Sequence, residues 1–181
     1  VLFEVTPLTL AELLPALDWL SNLPTVPVRL SKINRQAALP ADFSEVPFET
    51  FIICDNLYQG YLSMQNDELL DQLGATLYGK AIAFKPHERI SFFYWFAALK
   101  DSFARKFSDF FQPISAATGG NLLGSSATSV EDAMNAQIRA LTKGDVTKEA
   151  EVLALDTHRA LTELNAQARE YKELNAKLQS K

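Results

Sequence analysis

The chain has little of what chemistry usually needs: one cysteine, Cys54, and two histidines, His87 and His158, in 181 residues. A single thiol excludes an internal disulfide framework and any zinc or iron–sulfur centre built from several cysteines. Neither histidine has a metal-ligand spacing such as H-E-x-x-H, because His87-Glu88-Arg89 continues as Ile90-Ser91. No metal and no cofactor is expected. His87 reads as a helix-terminal residue and His158 as an exposed one.

Long apolar runs are missing too. The longest, Phe92 to Leu99, holds eight residues, less than half of what a helix needs to cross a bilayer. No membrane span is expected. The first residues, Val1-Leu2-Phe3-Glu4, lack a basic region followed by an apolar core, so they do not read as a signal peptide. The initiator Met is absent, and residues before Val1 are expected. Basic clusters are scarce: residues 1–84 hold 4 Lys and Arg against 10 Asp and Glu, and residues 85–181 hold 13 against 12. Neutralising phosphates takes clustered Lys and Arg, so nucleic acid is not an expected partner. Lys100, Arg105 and Lys106 lie among phenylalanines like a stacking platform, but Asp101 and Asp109 interrupt them.

Three further features look chemical and have plainer readings. Gly119 and Gly124 before Ser125-Ser126 approach a phosphate loop, yet Ser125 stands where that mechanism needs a lysine. Cys54 follows Ile52-Ile53, the setting of a buried and inert thiol. Asp67-Glu68 and Glu131-Asp132 fall at helix starts, where they complement the macrodipole. With no converging polar site, catalysis is not expected.

What the sequence has in quantity is apolar and aromatic residues, 48% and 10% of the chain, enough for a real core. Thr9-Leu10-Ala11-Glu12 is a capping box, followed by Leu10, Leu13, Leu14, Leu17 and Leu20 at helical spacing, with Pro15 an awkward guest. The proline-rich stretch Ser21 to Pro47 reads as extended, with a short strand at Val26 to Leu30. Phe48 to Leu62 has helical periodicity. Another helix starts at Asn66, which can cap, and stops at Gly79. Pro86 opens the best-defined helix and Pro113 closes it. Along it Phe92, Phe96, Leu99, Phe103, Phe107 and Phe110 form one continuous stripe, and the turn from Phe92 to Leu99 is apolar all round.

Ser115 to Ser129, with Gly119, Gly120 and Gly124, has the composition of a flexible linker. Ser129 then opens a helix with Met134, Ile138 and Leu141 that stops at Gly144, and Asp145 caps a second helix without Gly or Pro from Val146 to Lys181. In its distal half Leu161, Leu164, Ala168, Tyr171, Asn175 and Leu178 alternate steps of three and four, a short heptad seam with Asn175 at an inner position. The expected fold is mainly α: a helical core domain at 1–113, a Gly/Ser/Thr-rich linker at 114–129, and a helix–turn–helix at 130–181 ending in one long helix.

Within residues 136–164, Ile138 and Leu141 on one helix are followed by Gly144-Asp145, by Lys148, and by the apolar Val152, Leu153 and Leu155. This segment resembles tail assembly chaperones of tailed bacteriophages and prophages, and Glu88 to Pro113 is similar to prophage proteins. The extension Asn165 to Lys181 departs from that pattern. The resemblance implies a morphogenesis factor in the bacterial cytoplasm that binds apolar helical segments of tape-measure or tail-tube proteins, with no catalysis. An alternative is a structural virion component, such as a connector or tail-completion subunit assembled into a ring. The residues expected to face a partner are Phe103, Phe107, Phe110 and Phe111 on the aromatic helix and Ile138, Leu141 and Leu153 on the hairpin. Leu161, Leu164 and Tyr171 on the seam complete the set, the last three also serving a possible homo-oligomer.

Overall fold

The computed structural model describes residues 26–79, 84–111 and 127–179. These are mainly helical. The capping box at Thr9 with its leucine stripe, and the glycines of the linker, lie outside the described residues, as does Pro113.

Among the described residues the first regular element is a two-stranded hairpin, β1 (Lys32–Ile33) antiparallel to β2 (Gln36–Ala37). Asn34 and Arg35 between them have φ of 47° and 68°, the left-handed pair that a two-residue turn requires and that asparagine tolerates. The strand expected at Val26 to Leu30 is not formed. Those residues are irregular, and Val26 and Val28 are both 66% exposed.

Helix α1 (Phe48–Met64) follows Pro47 and ends at Gln65, whose φ of 53° closes the last turn with an amide bond to the Tyr61 carbonyl. Asn66 then caps α2 (Asp67–Tyr78) by accepting from the Glu68 amide at 2.9 Å, and Gly79 ends it at φ 72°. Helix α3 (Pro86–Lys106) has Pro86 in its first turn, and the Glu88 carboxylate accepts from the Lys85 amide at 2.7 Å. Phe92 and Trp95 to Leu99 are buried, while Phe93 and Tyr94 are half-buried, Phe93 packing against Tyr58 and Tyr61 of α1.

The aromatic helix is not continuous to Pro113. Phe107 leaves helical geometry at φ −115°, ψ 50°, and a separate turn, α4 (Ser108–Phe111), follows. The break is stabilised from outside: the Asn165 side-chain carbonyl accepts from the Phe110 amide at 3.0 Å, and Lys172 pairs with Asp109 at 3.0 Å.

Helix α5 spans Ala127–Thr142, so Ser129 lies inside it and not at its start. Lys143 and Gly144 take φ of 54° and 82°, the left-handed ending expected there. Asp145 caps a short 3₁₀ turn, Val146–Lys148, through the Thr147 amide at 3.1 Å. The single long helix expected from Val146 is divided. Helix α6 (Glu149–Leu153) stops, and α7 (Thr157–Gln179) begins after an irregular joint at 154–156. The joint pairs with the chain ahead of α1: the Leu155 carbonyl accepts from the Phe48 amide at 2.8 Å, and Asp156 accepts from the Glu45 amide at 2.8 Å. Asp156 also accepts from the Arg159 amide at 3.0 Å, capping α7.

One buried cluster joins all these parts. Phe43, Phe48, Phe51, Phe92, Trp95, Phe96 and Phe103 are continuous with Ile138, Ala160, Leu161 and Leu164. The core of the N-terminal half is therefore completed by α5 and α7. Burying these large side chains is the main stabilising term, at roughly 1.5–3 kcal/mol each before chain entropy is counted.

Candidate partner-binding surface

The structure places most of the ten expected partner residues inside the protein. Phe103, Phe107, Ile138, Leu161 and Leu164 are buried in the common core. Phe110, Phe111, Leu141 and Leu153 are half-buried against it. Only Tyr171 stands clear, at 65% exposure. The aromatic stripe of α3 is covered by its own chain: Phe51 packs on Phe103 at 5.5 Å between ring centroids, and His158 of α7 packs edge-on to Phe103 at 5.2 Å.

His158 is half-buried rather than exposed. Its Nε2 lies 2.7 Å from the Asp42 carbonyl and its Nδ1 3.0 Å from Lys106 Nζ. A carbonyl only accepts, so Nε2 carries the proton and the Nδ1 lone pair takes the hydrogen bond from the lysine. Both nitrogens are thus used in holding the start of α7 to the Asp42 loop and the end of α3. His87 lies exposed in the first turn of α3.

Other polar groups are similarly engaged. Cys54 is fully buried, and burial, reinforced by the Asp55 carboxylate, pushes its thiol far up. The Ser44 amide and hydroxyl hold the Asp42 carboxyl below the usual range. Arg89 forks onto Asp71 at 2.6 and 2.8 Å and reaches Asp67 at 3.1 Å. Lys100 pairs with Asp55. Among the described residues no buried side-chain polar atom lacks a hydrogen bond, and no group of three acidic, histidine or cysteine residues converges as metal ligands would. None of their helices is long and apolar enough to cross a membrane.

A shallow groove of about 380 Å³, of mixed polar and apolar lining, runs along the hairpin between Asn135, Ile138, Arg139, Thr142, Gly144, Val146 and Glu149. Thr142 is occupied within it, donating to the Arg139 carbonyl at 3.3 Å.

The remaining feature is the distal half of α7. Its first half is locked in place by Ala160, Leu161 and Leu164 and by Asn165, and the Lys172–Asp109 pair ties the start of the distal half to α4. From Arg169 to Leu178 every side chain except that of Asn175 is exposed. Tyr171, Leu174 and Leu178 are 65%, 56% and 65% exposed, and steps of three and four put them on one face. The seam drawn through Asn175 is therefore shifted by one residue, with exposed Leu174 in the apolar row and Asn175 half-buried beside it.

No family model, curated protein or solved structure matches the chain.

Leu174 could not be recognised from the heptad alone, because a strict seam assigns the inner position to Asn175. The signal was the local triplet Tyr171, Leu174, Leu178, which fits a helix face without reference to the buried half of the seam. Exposed Val26, Val28 and Leu30 form a second apolar row at the other end of the described chain.

Proposed function

We propose that the chain binds another protein through the exposed end of α7, and that it does so as a tail assembly chaperone or related morphogenesis factor of a tailed phage. The observation that carries the binding reading is the apolar row Tyr171, Leu174 and Leu178 on a helix whose other half is fixed in the core. A rigid helix with an uncovered apolar face suits an amphipathic helix of a partner, each ordering the other without a large entropic cost. The phage setting rests on the resemblance of residues 136–164. With Ile138 buried and Leu141 and Leu153 half-buried, that hairpin supports α7 and does not itself hold the partner. The partner in this reading is an apolar helical segment of a tape-measure or tail-tube protein, met in the host cytoplasm.

Co-expression with tape-measure and tail-tube proteins of a tailed phage, followed by mass spectrometry of the purified complex, tests this. Recovery of a tail protein with the chain is expected. Recovery of the chain alone contradicts it.

A second reading draws on the same helix. An exposed helical end held at a fixed angle by Asn165 and Lys172 is also a means of joining subunits in a ring. A structural subunit stays in purified particles, whereas a chaperone is absent from them.

A further inference from the structure

We infer that the break at Phe107 is a two-position elbow set by α7: while the Asn165 side chain accepts from the Phe110 amide the helix is broken, and without that acceptor α3 runs on through Phe111 as one helix. The inference concerns the chain by itself and stands apart from any partner.

Nothing local calls for a break at this point. Between Pro86 and Pro113 the sequence has neither Gly nor Pro, and Phe92, Phe96, Leu99, Phe103, Phe107 and Phe110 keep helical steps across it. Sharp breaks come from Pro, from Gly, from a bulge, or from a side chain entering the backbone ladder. Here the ladder holds as far as the Phe107 amide, which donates to the Phe103 carbonyl at 2.8 Å, and it is found again at Phe111, whose amide donates to the Phe107 carbonyl at 3.1 Å. The Phe110 amide is diverted. In a continuous helix it would donate to the Lys106 carbonyl, four residues back. Instead it is shared between the Phe107 carbonyl at 3.1 Å and the Asn165 side chain at 3.0 Å. A backbone amide taken from water needs an acceptor in either position, so Asn165 replaces the bond that the break forfeits.

One stripe of α7 spans the break. His158, Asn165 and Lys172 are spaced by seven residues, about two turns each, and so share a face. His158 Nδ1 meets Nζ of Lys106, the last residue of α3, at 3.0 Å, and Lys172 Nζ meets Asp109 of α4 at 3.0 Å. Both of those contacts are exposed, and long lysine stems can follow the chain into either position. Only Asn165 enters the ladder. The two positions differ in where they carry Phe110 and Phe111, whose rings meet edge to face at 4.9 Å, half-buried against the core.

The scalar coupling between the amide and α protons of Phe107 reads its φ directly, being large at −115° and small at the helical φ of about −63°. It would be measured by NMR on the full chain carrying isotope-labelled phenylalanine, with far-UV circular dichroism and a urea midpoint for each variant. The wild type should show the large coupling. So should Asn165→Asp, whose carboxylate still accepts from the Phe110 amide. In Asn165→Leu the Phe107 coupling should fall to that of Phe103 within α3, with sequential amide contacts unbroken from Lys106 to Phe111. A wild-type coupling already as small as that of Phe103, a folded Asn165→Leu chain that keeps the large one, or one in which residues beyond Lys106 lose protection from hydrogen exchange overturns the inference. So does an Asn165→Asp chain that behaves as Asn165→Leu. An Asn165→Leu chain that no longer folds also overturns it, since Asn165 would then hold the fold and not the elbow.

Discussion

Thr157 meets the Val46 carbonyl twice: its amide donates at 2.9 Å and its hydroxyl at 2.7 Å, with the side chain wholly buried. This contact fixes where α7 begins, 111 residues along the chain from its acceptor. Thr157→Val keeps the shape and the amide bond but loses the hydroxyl. A loss of about 1–2 kcal/mol is expected for one buried hydrogen bond, read as a lower urea midpoint at unchanged slope. An unchanged midpoint would show that the backbone bonds of the joint suffice without the hydroxyl.

Gly74 lies where α2 passes under the aromatic helix. A methyl group there would sit 2.8 Å from ring carbons of both Phe84 and Phe92. Gly74→Ala gains up to about 1 kcal/mol of helix propensity, but overpacking a filled core costs about 1–3 kcal/mol. The variant should melt below the wild type, and a raised melting temperature would mean that the two rings move aside freely.

Cys54 should be silent in the native state. With its thiol buried and pushed up by that burial and by Asp55, thiolate is scarce and reagent access is blocked. Ellman's reagent at mildly alkaline pH should leave the folded protein unlabelled and react fully in guanidinium. Rapid labelling of the folded chain would contradict the packing of α1.

Asp42 contributes to acid sensitivity with a definite sign. Ser44 holds its folded carboxyl below the ordinary value, so its stabilising effect is fully present above the unfolded range and is lost as pH falls through the folded value. The melting temperature of the wild type should therefore fall more steeply than that of Asp42→Asn from about pH 5 to about pH 2, where carboxylates titrate. The difference should be small, because the carboxylate is largely in solvent. Parallel curves would assign the acid sensitivity elsewhere.

Local chemistry made much of this fold legible. Asn66 and Gly79 delimit α2, Pro86 opens α3, and Gly144 with Asp145 turns the C-terminal hairpin, each through bonds made within a few residues. The breaks at Phe107 and 154–156 were hidden because distant groups stabilise them: Asn165 in one case, Glu45, Val46 and Phe48 in the other. The hairpin at Asn34 was signalled only by one residue tolerant of positive φ. That most of the expected partner residues are covered was hidden for a different reason. Helical spacing shows that Phe103, Phe107 and Leu161 share apolar faces, and only the tertiary arrangement shows that those faces cover one another.

The most direct measurement uses the surface that this arrangement leaves open. The chain and its Tyr171→Glu, Leu174→Glu, Leu178→Glu variant would each be co-expressed with the tape-measure and tail-tube proteins and purified under identical conditions. Exposed positions tolerate such changes with little loss of stability, within about 0.5 kcal/mol each, and thermal melts would verify this. A tail protein recovered with the wild type and lost from the equally folded variant is the expected result. A tail protein bound equally by both, or by neither, would contradict binding through the end of α7.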